Sequence, residues 1–218
     1  MSQDYCPGIA KLATGYDIMT GNPLSTSQAD PGFTSRQVFQ LTYKKKQMTP
    51  DSARWLIPDN TVVDPTMSMC QTTFSTETLT GTKSYQNSLN QKVSLSASGW
   101  GAKFSASTDF KSIESQTSHS SSVVVQATAQ CEVYAAALSL NNAPRLSKDF
   151  LALVDSLPDT YDEYAYSKLI SQYGTHVITA MRLGGRFGQY SSFTVDSYAK
   201  MEQNNLDISA SAGFSAIG

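Results

Sequence analysis

From Trp100 the chain alternates for twelve positions. Trp100, Ala102, Phe104, Ala106, Thr108 and Phe110 fall on one parity, Gly101, Lys103, Ser105, Ser107, Asp109 and Lys111 on the other. Successive side chains of a strand face opposite sides, so this run predicts a strand with one apolar and one polar face. Its length covers the roughly 9–11 residues that cross a bilayer as a tilted strand. Upstream, Val93, Leu95 and Ala97 alternate with Ser94, Ser96 and Ser98, and the parity flips at Gly99. A bulge, or a strand leaving the membrane, would produce such a flip. Val123, Val125, Ala127, Ala129, Cys131 and Val133 against Gln126, Thr128, Gln130 and Glu132 predict a return strand, joined by a hydroxyl-rich tip over 113–122. Near the carboxyl end Leu206, Ile208, Ala210, Ala212, Phe214 and Ala216 alternate with Asp207, Ser209, Ser211, Gly213 and Ser215. The two segments share the words LSAS or ISAS, and FSA. A half-buried strand of a β-sandwich gives the same alternation, so the pattern alone leaves both readings open.

Between these segments the period becomes helical. Ser147 is placed to cap a helix with Phe150, Leu151, Val154 and Leu157 on one face, closed by Pro158. Thr160 and Glu163 have the spacing of a capping box for a second helix, whose face is Tyr166, Leu169, Ile170 and Tyr173. Both read as helices packed on one side of a sheet. Gly174 stops the second, because glycine accepts a left-handed backbone. An extended run follows, interrupted by Gly184 and Gly185, where a glycine pair permits a bend or a close crossing. Earlier, 38–43 alternates as a strand, and Lys44, Lys45 and Lys46 read as a solvated turn in preference to a lipid head-group patch. Trp55, Leu56 and Ile57 form a short apolar run closed by Pro58. Residues 6–33, rich in Pro and Gly, predict an ordered loop-like layer over the core.

Composition narrows the functions. A net charge of −2 with 16% charged residues supplies no global field for nucleic acid or anionic lipid. No run approaches the roughly 18 apolar residues of a membrane-spanning helix, and no apolar leader of the secretory kind heads the sequence. Any membrane contact therefore needs another route. Cys6, Cys70 and Cys131 show no CxxC spacing, so zinc is not expected. Cys70 and Cys131 flank the first alternating region on two candidate strands, as a disulfide or as two small buried thiols. Cys6 is left over, free to pair outside the chain. His119 and His176 are the two imidazoles; the first lies in the serine-rich tip and the second opens a strand as a hydrogen-bonded structural residue. GxSxG, P-loop and HExxH motifs are absent, so no enzyme is expected and no cofactor is implied.

Tyr173-Gly174-Thr175-His176 followed by Gly184-Gly185 resembles the hallmark of the MACPF (membrane-attack-complex/perforin) family. The GYDIMTGNP…DPGF words resemble perforin-like proteins of alveolate protists, and LTY…IPD the macrophage-expressed branch, where it leads into a first core strand, here 67–78. The resemblance covers most of the chain. It implies an α+β MACPF fold, with a bent and twisted antiparallel core sheet, flanking helical clusters and two transmembrane-hairpin insertions, the first over 81–122 and the second starting in 196–218. Residues 1–218 would be a MACPF domain whose hairpin return and fourth core strand lie beyond Gly218. The resemblance implies a pore former, secreted or stored in secretory vesicles, that binds a target membrane and assembles with copies of itself into a ring or arc. It then refolds the insertions from helices into β-hairpins. Trp100, Ala102, Phe104, Ala106, Phe110, Ile208, Ala210, Ala212 and Phe214 would face lipid, and Lys103, Asp109 and Lys111 the lumen. A non-lytic MACPF scaffold or adhesion protein is the alternative.

Overall fold

The computed structural model describes residues 4–23, 25, 29–51, 54–65, 73–93, 107–118, 122–142 and 144–204. Seven strands and five α-helices lie among them: β1 (Thr14–Tyr16), β2 (Phe33–Gln37), β3 (Thr61–Pro65), β4 (Thr73–Leu79), α1 (Thr82–Val93), α2 (Thr108–Ser118), β5 (Ser122–Leu138), α3 (Lys148–Asp155), α4 (Glu163–Tyr173), β6 (His176–Val177), β7 (Ala180–Thr194) and α5 (Val195–Gln203). One sheet has the order β2-β1-β6, both pairings antiparallel. The other is built on β5, which carries β3 from Thr61↔Leu138 to Pro65↔Tyr134 and β4 from Thr73↔Gln130 to Leu79↔Val124, both antiparallel. Strand β7 also pairs with β5.

The chain falls into two compact units. The first comprises 1–18, 32–71 and 132–185, the second 19–31, 72–131 and 186–218, so β5 and β7 supply residues to both. In the first unit Cys6, Ile9, Leu12, Ala13, Ile57, Val63, Tyr134, Ala136, Leu138 and Leu183 form the buried core, with Phe39, Trp55, Ile178 and Met181 packed against it. The amino-terminal stretch, expected as a loop-like layer, instead supplies the middle strand β1 and the core residues Ile9, Leu12 and Ala13, with Tyr16 buried and edge-on to Phe33 at 5.3 Å.

Local signals fared unevenly. Helix α3 is capped by Ser147, whose hydroxyl accepts Phe150 N. Helix α4 is capped by Asp162, accepting Ala165 N at 2.7 Å, and not by Thr160. A carboxylate beside the positive end of the helix is favoured over a hydroxyl two residues further out. Helix α4 packs on β1 and β2, and α3 on α4 through Phe150 and Tyr173, 5.0 Å apart. Neither buries the full face expected: Leu151, Val154 and Ile170 are exposed.

The strand expected over 38–43 is reduced to a single antiparallel bridge, Phe39↔Leu146, and past it the chain is turned by the Asp59 carboxylate. Gln40 N donates to Arg145 O, Ser147 N to Val38 O, and the Asp59 carboxylate accepts Lys44 N and Lys45 N. The lysine run does form an exposed turn. A first core strand over 67–78 meets β4 only from Thr73; residues 66–72 lie outside the described residues. Cys6 is a free thiol in the core, its pKa raised by burial and then by the Asp51 charge, so it acts as a small apolar side chain and not as an exposed pairing partner. Cys70 lies outside the described residues, and Cys131 is in β5.

Candidate functional site

Two features of the sequence mark a site: the glycine-ended helix and the first alternating insertion. At the helix end, Gly174 has φ +70° and ψ −167°, a combination close to exclusive to glycine. Its N–H donates to Ile170 O at 2.7 Å. A Cβ there would lie 2.4 Å from the carbonyl carbon of Tyr16. A Cβ on Gly15 would lie 1.8 Å from the Tyr173 carbonyl oxygen. Two glycines thus face each other where the end of α4 crosses β1, and each crossing backbone fills the space a side chain would need. Thr175 closes the joint: its N–H donates to Tyr16 O at 3.0 Å, and its hydroxyl accepts Ile18 N at 3.0 Å. His176 Nδ1 lies 2.9 Å from the same hydroxyl. Tyr173 is buried beneath the joint. The YGTH word and the GY word near the amino terminus are therefore two halves of one contact, a relation with no trace in either alone.

Gly184 and Gly185 behave differently. Strand β7 continues through them, both are exposed, neither has a positive φ, and a Cβ on Gly185 would meet nothing within 4 Å. The expected interruption is absent because extended backbone is open to any residue. The division between the two compact units does fall between Gly185 and Arg186.

In the second unit, where a first insertion is expected over 81–122, the described residues over 82–93 and 108–118 are helical. Gly81 leads into α1, where the Ser84 hydroxyl accepts Thr80 N at 3.0 Å and Tyr85 and Leu89 fall four apart on a buried face. Val93, read above as part of an extended stretch, ends this helix. Helix α2 starts after Ser107, whose hydroxyl accepts Phe110 N at 3.2 Å. Phe110 and Ile113 are its buried pair, and Phe110 lies 6.2 Å from Tyr85. The strand expected through Lys111 thus does not extend past Ser107 in this structure. A capping serine and an i, i+3 apolar pair satisfy a helix as well as the alternation satisfies a strand. Strand β5 differs from the expected two-faced return strand, since 123–128 are buried on both parities.

A polar cluster fastens α1 and α2 to the 19–31 loop. Asn22 is 3% exposed. Its Oδ1 accepts the Tyr85 hydroxyl at 2.9 Å, its Nδ2 donates to Asp109 Oδ2, and its N–H donates to Asp30 Oδ1 at 2.8 Å. Tyr190 on β7 is hydrogen-bonded to Tyr85 and accepts Gln126 Nε2 at 3.3 Å. Burial, with the Asp109 charge adding to it, pushes the Tyr190 phenol up to about 12. Arg186 donates to the carbonyls of Pro23 and Ser25, holding the loop from β7. Sequence reasoning missed Asn22, Tyr85 and Tyr190, whose spacing carries no local signal.

Of the residues assigned to a lipid or lumen face, Phe110 is buried, Asp109 is bonded to Asn22, and Lys111 is exposed on α2. Trp100, Ala102, Lys103, Phe104, Ala106, Ile208, Ala210, Ala212 and Phe214 lie outside the described residues. In 196–218, expected to begin a second insertion, the described residues start in helix α5, capped by the Thr194 hydroxyl accepting Ser197 N. No helix among the described residues is long and apolar enough to cross a membrane, which says nothing of strands.

Comparison with known proteins fits these features. Perforin-1 of Rattus norvegicus is 44% identical over 62 residues, 27% of this chain and 11% of that protein. Complement component C7 of Homo sapiens is 39% identical over 71 residues, 31% of this chain and 8% of that protein. The 67 kDa subunit of perivitellin-2 from Pomacea maculata is 25% identical over 214 residues, 97% of this chain and 38% of its own. The chain thus matches only part of these relatives' lengths. Among solved structures, GNIP1Aa from Chromobacterium piscinae superposes with a TM-score of 0.58 at 17% identity, over 89% of this chain and 37% of its own. A putative cell invasion protein with a MAC/Perforin domain from Bacteroides thetaiotaomicron gives 0.53 at 14%, over 93% and 40%. Both show the shared α+β fold of antiparallel sheets and helices. The MAC/Perforin domain model matches residues 6–217, and the chain belongs to the MAC/Perforin (MACPF) family.

Proposed function

We propose that this chain is the MACPF portion of a pore-forming protein that is secreted or released from vesicles. It reaches a target membrane, assembles with further copies into a ring or arc, and refolds 81–122 and the region from 196 into amphipathic β-hairpins. Joining hairpins edge to edge into a closed barrel satisfies every backbone hydrogen bond in lipid, which an isolated hairpin cannot do. The observation that carries this reading is a mismatch between pattern and conformation. Thr108–Lys111 continue an alternation begun at Trp100, yet they lie in α2, fastened by Ser107, Asn22 and Tyr85. A segment patterned for one structure and stored in another supports refolding. Under this reading Trp100, Phe104, Phe110 and Phe214 turn to lipid, with Lys103, Asp109 and Lys111 in the lumen. The Cys70–Cys131 disulfide belongs to the same proposal, supported by Cys6 being a buried free thiol. The affinity to the alveolate and macrophage-expressed branches also remains proposed, on the words quoted above. No catalytic step or cofactor is involved.

Dye release from liposomes by the full-length protein is the test. Replacing Phe104 and Ala106 with lysine puts two charges on the lipid face, each costing about 2–4 kcal/mol at mid-bilayer. Release should be abolished with binding retained. Unchanged release in that variant rules out the assigned face. A wild-type protein that binds and assembles without release is a scaffold, and the pore reading fails.

A further inference from the structure

We propose that the Lys44–Lys46 turn, with the exposed ring of Tyr5, is a built contact for an anionic membrane surface. The assignment rests on the membrane-acting reading above and names the face that meets lipid first. A merely solvated turn needs no interior support, and this one has it. Asp59 is 5% exposed, and its carboxylate accepts the Thr42 hydroxyl at 2.6 Å, Lys44 N at 2.8 Å and Lys45 N at 2.9 Å. Asp59 N donates back to Thr42 O, and Lys46 N to Tyr43 O. Lys46 is held at φ +50°, an uncommon conformation for a side chain of its size. The result is three consecutive exposed lysines on a fixed backbone, the Lys45 ammonium also donating to Asn60 Oδ1 at 3.3 Å.

The aromatic component sits beside them. Tyr5 and Tyr43 meet edge-to-face at 4.7 Å, and Tyr5 remains 59% exposed. Lysines reaching phosphates with a tyrosine ring at their flank is the composition of a membrane–water interface. Asp4 next to Tyr5 and the buried Asp59 carboxylate against Lys45 subtract from the charge of the three lysines, while Arg54 lies over the ring of Trp55 and acts on Asp51. A nucleic acid would call for a wider basic field than a chain of net charge −2 provides.

Flotation of the full-length protein with phosphatidylcholine vesicles, with and without phosphatidylserine, tests the assignment. Binding should require phosphatidylserine and weaken as salt rises. Each lysine contributes about fivefold to partitioning, so K44Q/K45Q/K46Q should lose roughly a hundredfold. The Lys→Arg triple variant should bind like wild type, as should K148Q/K168Q, which alters exposed lysines on α3 and α4. A thermal melt confirms that each variant folds; were the glutamine triple variant to unfold, the single Lys44→Gln and the arginine triple carry the test. Unchanged flotation of K44Q/K45Q/K46Q, or equal binding of wild type to neutral vesicles, overturns the proposal. So does displacement by inorganic phosphate beyond that of chloride at matched ionic strength, which would make the turn a site for free phosphate. Loss of self-association in place of flotation would instead make the partner a second copy. Leakage recorded on the same vesicles separates the two readings: binding without leakage removes the pore reading alone, and unchanged binding and leakage in the triple variant removes this one alone.

Discussion

Gly174→Ala is the most direct probe of the joint between α4 and β1. Two costs add. The backbone at φ +70° and ψ −167° suits glycine almost alone, and holding alanine there costs on the order of 1–3 kcal/mol. The added methyl would sit 2.4 Å from Tyr16 C, 2.5 Å from Tyr16 O and 2.7 Å from Asp17 N. All three are backbone atoms of a short strand and its exit, so no side chain can swing aside. Relief requires the end of α4 to retreat by roughly 1 Å, at the price of overpacking strain of about 1–3 kcal/mol. Such a retreat would also stretch the bonds from Thr175 N to Tyr16 O and from Ile18 N to Thr175 Oγ1, each 3.0 Å.

The sum is about 2–6 kcal/mol, against a total stability of roughly 5–15 kcal/mol for a folded domain. At about 2–4 °C per kcal/mol for a chain of this size, a mid-range loss lowers the melting temperature by roughly 8–16 °C. Gly185→Ala is the internal control. Its Cβ enters open space on a backbone without positive φ, so the change should stay within about 0.5 kcal/mol, or gain slightly from a stiffer unfolded chain. Differential scanning calorimetry of both variants decides it. A Gly174→Ala protein melting within about 2 °C of wild type would refute the crossing argument. A Gly185→Ala protein falling as far as Gly174→Ala would show that the two glycine signals are not physically distinct.

Asn22→Ala removes the acceptor of the Tyr85 hydroxyl and a donor to Asp109, which should destabilise the second unit by about 2–4 kcal/mol. Hydrogen exchange should accelerate across α1 and α2, and liposome release should begin at lower protein concentration. Alkaline titration probes Tyr190. Its folded pKa, about 12, stands above the ordinary phenol value of 10, so its contribution is fully present below 10 and is lost as pH rises toward 12. Tyr190→Phe should therefore flatten the decline of melting temperature over that interval.

The parts legible in sequence were those whose partners are neighbours. Ser147 and the Phe150 N–H lie three residues apart, so the α3 cap could be read directly. Gly174 announced its helix end by the same logic. The failures share the opposite cause. Residues 38–43 carry the alternation of a strand, but their pairing stops at the Phe39↔Leu146 bridge, and Asp59, fourteen and fifteen residues from Lys45 and Lys44, turns the chain just beyond them. The Asn22–Tyr85 and Asn22–Asp109 bonds span 63 and 87 positions. Gly15 was visible as a glycine, but its reason, the Tyr173 carbonyl 1.8 Å from a would-be Cβ, exists only once the chain is folded.

The same division between local and distant causes explains why 107–111 can be written for two conformations. Phe110 is the hinge of the ambiguity. At i+3 to Ile113 it completes a helical stripe, and at the end of the series from Trp100 it completes the apolar face of a strand. The surrounding Ser and Thr residues cost little in either state, since the propensity scales spread by less than about 1 kcal/mol per residue. Local preference therefore does not decide, and the choice passes to contacts from outside the segment: Asn22 on Asp109, and Tyr85 against Phe110. Contacts of that kind can be withdrawn without altering the segment itself. A helix held mainly by its neighbours is free to adopt its other pattern when those neighbours let go, so under the proposed function the commitment to insert is governed from Asn22, a residue outside the inserting region.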